Sequence, residues 1–275
     1  VGIAVRNLDS ARNGNLPKEL LTLDAESLIK AADIVIELIG GIEPAKSYIS
    51  LALNSGADVI TANKALIAAH GTELFDLAEQ LGAQLYFEAA VGGAIPIIRP
   101  LRESLAGDKV NKVMGIVNGT TNFILDRMAS TGATFEDALA EAQQLGYAEA
   151  DPTFDIEGVD AAHKATLMSA IAFGVPVQFD KAYVEGITKL ESQDIKYAEQ
   201  LGYRIKLLGI SKRTPAGIEL RVHPCLVPAK RLIANVEGAM NAVMVHADAV
   251  GTTLYYGKGA GSEPTASAVI ADLVD

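Results

Sequence analysis

The sequence contains a single cysteine, Cys225, which rules out an internal disulfide and a CxxC metal site and fits a reducing compartment. No apolar run reaches the length of a membrane span, and no signal-peptide pattern opens the chain. Basic residues are too few to balance the acids. The formal net charge is −11 and no basic run offsets it, which argues against nucleic acid or an anionic membrane surface as a partner. The histidines, His70, His163, His223 and His246, lack metal-ligand spacing. A GxSxG elbow, a Ser-His-Asp arrangement, internal repeats and low-complexity tracts are also absent. There is no initiator Met, and Val1 to Val5 already reads as a strand, so the expectation is of a start that is trimmed or lies upstream.

What is present is enough for a large core: 275 residues, 49% hydrophobic and 21% charged, which fits one large domain or two smaller ones. Strand-like runs at 1–5, 33–39, 58–62 and 84–88 alternate with helical runs at 25–32, 44–56 and 65–82. That alternation predicts βαβ units around a parallel sheet, with strands apolar enough to be buried on both faces. After about residue 95 the pattern changes. A helix is expected at 96–107, a strand near 109–117, and helices at about 120–130, 134–145 and 158–173, the last preceded by the acidic loop 146–158. Hairpin-like strands follow at 203–213 and 217–223 and at 240–250 and 252–257, then a terminal helix. The fold expected is α/β: a partial Rossmann-type parallel sheet over 1–95 and a second α+β domain over 96–261, with helix 262–275 packing back on the first.

The βα half invites a search for GxGxxG after its first strand, and that fingerprint is missing. A glycine cluster does occur late, Gly257-Lys258-Gly259-Ala260-Gly261, readable as an anion-binding turn or, more economically, as a flexible turn before the last helix. Arg6 and Arg12 follow the first visible strand. If that strand is the second of a Rossmann unit they favour the 2′-phosphate of NADP; ordinary surface arginines fit equally well. Lys64, after the strand end Thr61-Ala62-Asn63, lies where open α/β sheets bind ligands, though a solvated lysine in a first helical turn is the plain alternative. Asp160 and Lys164 share one helix face, with Glu149, Asp151 and Asp155 just before them. Such a set could bind an amino acid and move a proton, yet a pair at this spacing is most often a surface ion pair of little worth. Glu88 ends an apolar strand before Val-Gly-Gly, where exposed carbonyls can ligate a hard cation; a strand end before a helix is the alternative.

Several strings in order, ITANKALIA (60–68), YFEAAVGGAIPII (86–98), GIVNGTTNFIL (115–125), GYAEADPTFDIEGVDAAHKA (146–165), ELRVHP (219–224) and YYGKGAGSEPTASAV (255–269), resemble the homoserine dehydrogenase family. The resemblance implies interconversion of L-homoserine and L-aspartate 4-semialdehyde with NADP or NAD, in threonine and methionine biosynthesis, by a cytoplasmic homodimer. It implies that Lys164 transfers the proton, with Lys64 as a second lysine and Asp160 positioning the substrate hydroxyl. Glu149 would bind the substrate amino group, with Asp155 nearby in the substrate site, and Gly119 and Thr120, within the stretch from Asn118 to Thr121, would lie on the substrate side. Gly40, Gly41, Thr61, Asn63, Lys64, Gly261 and Arg6 would meet the cofactor. Glu88, Val91, Gly93 and Ile95 would hold a monovalent cation, sodium by expectation, mostly through backbone oxygens. Family members begin with a glycine-loop βα unit, and many end in a regulatory domain; neither is in this sequence, so feedback control housed in such a domain is not expected.

Two other readings stand beside this one. A truncated chain could keep substrate binding and pairing without turnover. Aspartate-semialdehyde dehydrogenase chemistry would need a nucleophilic cysteine, and Cys225, in ELRVHPCLVP, lacks the helix-start setting that activates a thiol.

Overall fold

The computed structural model describes residues 1–10 and 16–275. Arg12 lies outside the described residues. The chain forms two compact units, Val1–Phe87 and Glu88–Asp275.

In the first unit the strands are β1 (Ile3–Ala4), β2 (Leu21–Thr22), β3 (Ile34–Glu37), β4 (Asp58–Thr61) and β5 (Leu85–Tyr86), and the helices are α1 (Ala25–Lys30), α2 (Ala45–Asn54) and α3 (Lys64–Leu81). All pairings are parallel: β1 with β2 in one small sheet, β3–β4–β5 in another. Local chemistry sets the helix ends. Asp24 accepts from Ser27 N–H at the start of α1, Asn63 accepts from Leu66 N–H at the start of α3, and Gly82 ends α3 in the left-handed conformation. Ile49, Leu53, Ile60, Leu66, Ile67 and Leu74 fill the core.

The expectation of strands buried on both faces fails at β3. Ile34 is 44% and Ile36 41% exposed, whereas Val59, Ile60 and Thr61 of β4 are buried. Strand β3 is an edge of its sheet, and burial on both sides is a property of central strands.

The second unit holds a six-stranded sheet. Its members are β6 (Val110–Ile116), β7 (Tyr183–Val184), β8 (Tyr203–Thr214), β9 (Gly217–Pro228), β10 (Met240–Ala247) and β11 (Thr252–Lys258), in the order β11–β10–β6–β8–β9–β7. All pairs are antiparallel except β7 with β9. The two hairpins read from the sequence are thus joined by β6. The helices are α4 (Gly119–Thr131), α5 (Phe135–Gln144), α6 (Thr153–Ile156), α7 (Val159–Phe173), α8 (Ser192–Gln200) and α9 (Ser262–Val274). Of the segment read as a helix at 96–107, residues 98–104 are helical, the stretch Pro100–Ser104 being of π type, and turns follow it.

Helix α7 is buried on nearly every side. A helix that is apolar all round belongs inside a fold. Its small residues allow close approach to the sheet: a Cβ built on Gly209 would sit 3.0 Å from Ala165 Cβ. This places the Asp160–Lys164 face of α7 inside the unit, near the end of β6.

Candidate active site

Strand β6 ends at Ile116, and Val117-Asn118 turns the chain into α4. Asn118 is the N-cap of α4; its Oδ1 accepts from Thr121 N–H at 2.8 Å. With that oxygen fixed, Asn118 Nδ2 donates to Asp155 Oδ1 at 2.7 Å and to Asp160 Oδ2 at 2.9 Å. Lys164 Nζ donates to the same Asp160 oxygen at 2.8 Å and to the Val117 carbonyl at 2.8 Å. Thr120 Oγ1 donates to the Tyr147 carbonyl at 2.6 Å and approaches Asp155 Oδ2 at 3.3 Å.

The bland reading of Asp160 and Lys164 as a surface ion pair does not hold. They are 2% and 7% exposed. An ion pair drawn out of water loses hydration, and only close geometry with added hydrogen bonds offsets the loss. Asn118 and the Val117 carbonyl supply those bonds. Burial also raises the Asp155 carboxyl above its usual range; the Asn118 bond opposes the shift and the Asp160 charge adds to it.

Gly119 is required by its surroundings, because a Cβ there would lie 2.7 Å from the Ala239 carbonyl oxygen. Glu149 stands apart: its side chain is exposed, and its backbone carbonyl accepts from Gln143. Asp151 accepts from Thr153 N–H at the start of α6, and the Thr153 hydroxyl, with that N–H, holds it below the usual carboxylate range.

A second set of predicted residues gathers beyond the carboxyl ends of β3 and β4. Sequence reasoning missed its centre, Glu37. This buried carboxylate accepts from Ile39 N–H at 2.7 Å and Gly40 N–H at 3.1 Å through Oε1, and from Thr61 Oγ1 at 2.6 Å through Oε2. Asn63 Nδ2 donates to the Gly41 carbonyl at 2.7 Å. An acid ending the apolar run DIVIE was the available signal. Gly40 and Gly41 have φ of 71° and 73°, and a Cβ on either would meet nothing within 4 Å. These two positions carry no side chain, have open space over them and lie at strand carboxyl ends, where open α/β sheets bind ligands. Lys64 opens α3 beside this loop, and Arg6 is exposed just after β1. Gly261, at φ 122°, precedes α9 and accepts from Thr265 N–H through its carbonyl.

Glu88 is buried and fully engaged. Oε1 accepts from Ile97 N–H at 2.6 Å and Ile98 N–H at 2.9 Å, and Oε2 from Arg99 N–H at 2.8 Å. Its own N–H donates to Asp272 Oδ2 of α9 at 3.0 Å. Gly92 makes way for the Ile95 carbonyl, where a Cβ would fall 2.5 Å away. Among the described residues no group of three or more His, Cys, Asp or Glu is placed to hold a metal, and no helix is long and apolar enough to cross a membrane.

Residues 96–274 match the family model described as homoserine dehydrogenase, and residues 1–88 match its NAD binding domain. The chain belongs to the homoserine dehydrogenase family. A homoserine dehydrogenase of Pseudomonas aeruginosa is 62% identical over 88% of this chain and 56% of its own length. The crystal structure of a family member from Thiobacillus denitrificans superposes with a TM-score of 0.93 at 59% identity, covering 98% of this chain and 63% of that one. A hyperthermophilic archaeal homoserine dehydrogenase solved in complex with NADPH gives a TM-score of 0.78 at 30% identity, over 91% of this chain and 74% of that one. The chain therefore spans a little over half the length of the Pseudomonas relative. Family membership confirms the α/β fold with a Rossmann-like dinucleotide part.

Proposed function

We propose that this chain carries homoserine dehydrogenase activity, oxidising L-homoserine to L-aspartate 4-semialdehyde and the reverse. The observation that carries the reading is the buried Lys164–Asp160–Asn118–Asp155 network at the start of α4. A bound NAD(P) supplies the hydride acceptor for the alcohol carbon. Lys164, as the neutral amine, takes the hydroxyl proton in the oxidation and so becomes the ammonium, which returns that proton in the reduction. Asp160 fixes the Lys164 ammonium, and Asn118 fixes Asp160. The Gly119-Thr120 start of α4 favours the substrate carboxylate through the positive end of the helix. Glu149, from the exposed loop before α6, receives the substrate ammonium, Asp155 lines the substrate site, and Lys64 serves as the second lysine.

In this reading residues 1–95 hold the dinucleotide through Gly40, Gly41, Thr61 and Asn63, with Gly261 of the 96–261 part also meeting it. The NADPH complex of the archaeal relative and the exposed Arg6 favour NADP over NAD. In the same reading the backbone oxygens of Glu88, Val91, Gly93 and Ile95 hold a sodium ion, since the Glu88 carboxylate is spent on three N–H groups. A homodimer is supported by the sheet residues Met114, Met244 and Leu254, only partly covered within one chain. The setting is cytoplasmic threonine and methionine biosynthesis.

The test is NADP and NAD reduction on L-homoserine by the full-length protein, followed by near-ultraviolet absorbance. Substrate-dependent reduction is expected. No turnover from intact, folded protein removes the reading.

A further inference from the structure

Asn241, in β10, has no part in the Lys164 network, yet it is 2% exposed. Its Oδ1 is buried with no hydrogen-bond partner among the described residues. A buried acceptor left unpaired is costly, and a leucine would fill similar space without that cost.

Glycine backbones crowd this amide. Asn241 is paired with Gly257 across β10–β11. A Cβ on Gly259 would fall 1.8 Å from Asn241 Nδ2, and one on Gly119 would fall 3.5 Å from Oδ1. On its other side Gly259 meets Gly93, where a Cβ would fall 2.6 Å from the Gly259 carbonyl, and Ala94 N–H donates to the Lys258 carbonyl at 3.0 Å. The turn 257–261 is thus gripped between Asn241 and the 93–94 backbone, and the same amide borders the first residue of α4.

We infer that Asn241 is a positioning residue, whose amide fixes the 257–261 turn against the start of α4 and so tunes ligand affinity from beneath. The inference rests on the proposed function, in which that turn and the α4 start face cofactor and substrate. The unpaired Oδ1 favours any shift of the turn that brings a backbone N–H to it, so ligand binding and completion of this contact reinforce each other. Asn241 acts through backbone and touches neither ligand.

The test compares Asn241→Ala, Gly259→Ala and the double variant in the full-length protein. Asn241→Ala should raise KM for NADP about fivefold or more while kcat stays within about twofold, a split that general destabilisation does not produce. Hydrogen exchange should speed up at both 118–121 and 257–261. Gly259→Ala should raise KM as well, because its methyl collides with the amide. The double variant should be no worse than Gly259→Ala alone, because the shorter side chain makes room. Additive losses in the double variant overturn the inference, as do unchanged KM and exchange in folded Asn241→Ala. If Asn241→Ala does not fold, unchanged KM and exchange in Gly259→Ala overturn it. If the wild type fails to oxidise homoserine, the proposed function falls, while the exchange measurement still decides whether Asn241 couples the two segments.

Discussion

A single oxygen, Asp160 Oδ2, receives both the Lys164 ammonium at 2.8 Å and the Asn118 amide at 2.9 Å. Two donors from different elements therefore meet on one carboxylate, and Lys164 cannot turn without breaking that contact. Asp160→Asn keeps one oxygen for the two donors but removes the negative charge that holds the lysine. We expect kcat to fall by about 10²–10⁴ while the variant stays folded. Steady-state kinetics beside a melting curve checks this, and a near-normal kcat would show that Asp160 does not orient the lysine.

Glu37 organises the loop at Gly40-Gly41 from below. Glu37→Gln cannot accept at both ends as the carboxylate does: one side of its terminal group becomes a donor facing either N–H groups or the Thr61 hydroxyl. We expect NADP affinity to weaken by about tenfold, the effect of roughly 1.4 kcal/mol, with kcat at saturating cofactor little changed. Titration calorimetry with NADP reads this directly; an unchanged Kd would free the loop from Glu37.

Glu88 caps three consecutive N–H groups, those of Ile97, Ile98 and Arg99. Glu88→Ala should leave buried donors unpaired and lower stability by about 2–4 kcal/mol, mixing lost charged hydrogen bonds with desolvated donors. Denaturant unfolding measures it, and a loss below about 1 kcal/mol would mean that water replaces the carboxylate.

Asp272 carries a pH signature. Burial pushes its carboxyl up to about 6, against the Glu88 N–H bond that opposes the shift; the Glu88 charge adds to it, Arg99 opposes it, and Asp275 adds a little. The folded pKa is raised, so the folded state holds the proton more tightly than the unfolded chain. Its contribution is fully present below the unfolded value and is lost as pH rises through about 6. Asp272→Asn keeps an acceptor for the Glu88 N–H and should be relatively more stable than wild type above that pH. Melting temperatures across the acid-to-neutral range test this; identical profiles would mean Asp272 is solvated.

Much of the fold was legible because periodicity reports burial directly. The alternation at 33–62 gave β3, α2 and β4, and the long apolar stretch at 159–173 gave α7. The exposure of strand β3 is not legible, because its Val-Ile pattern reports composition and not sheet position. Helix α8, with a polar sequence (SQDIKYAEQ), is held by a capping box of Glu191 and Asp194 and by Ile195 and Ala198 facing inward, signals too sparse for a pattern search. In the site, spacing and resemblance single out Lys164, Asp160 and Asp155, but not the burial of the first two. Spacing fixes which helix face two side chains share, and packing decides what covers it. Glu37 and Asn241 carry no motif: Glu37 bonds to the N–H groups just after it and to the Thr61 hydroxyl of the next strand, and Asn241 meets Gly259 and Gly119, which only the fold brings to it.

The most direct test of the central claim is kcat for L-homoserine oxidation by Lys164→Met in the full-length protein, with NADP affinity measured on the same sample. We predict a fall in kcat of about 10²–10⁴ with the NADP Kd within about twofold of wild type. Near-normal turnover by the folded variant would contradict the assignment of Lys164 as the proton-transferring residue.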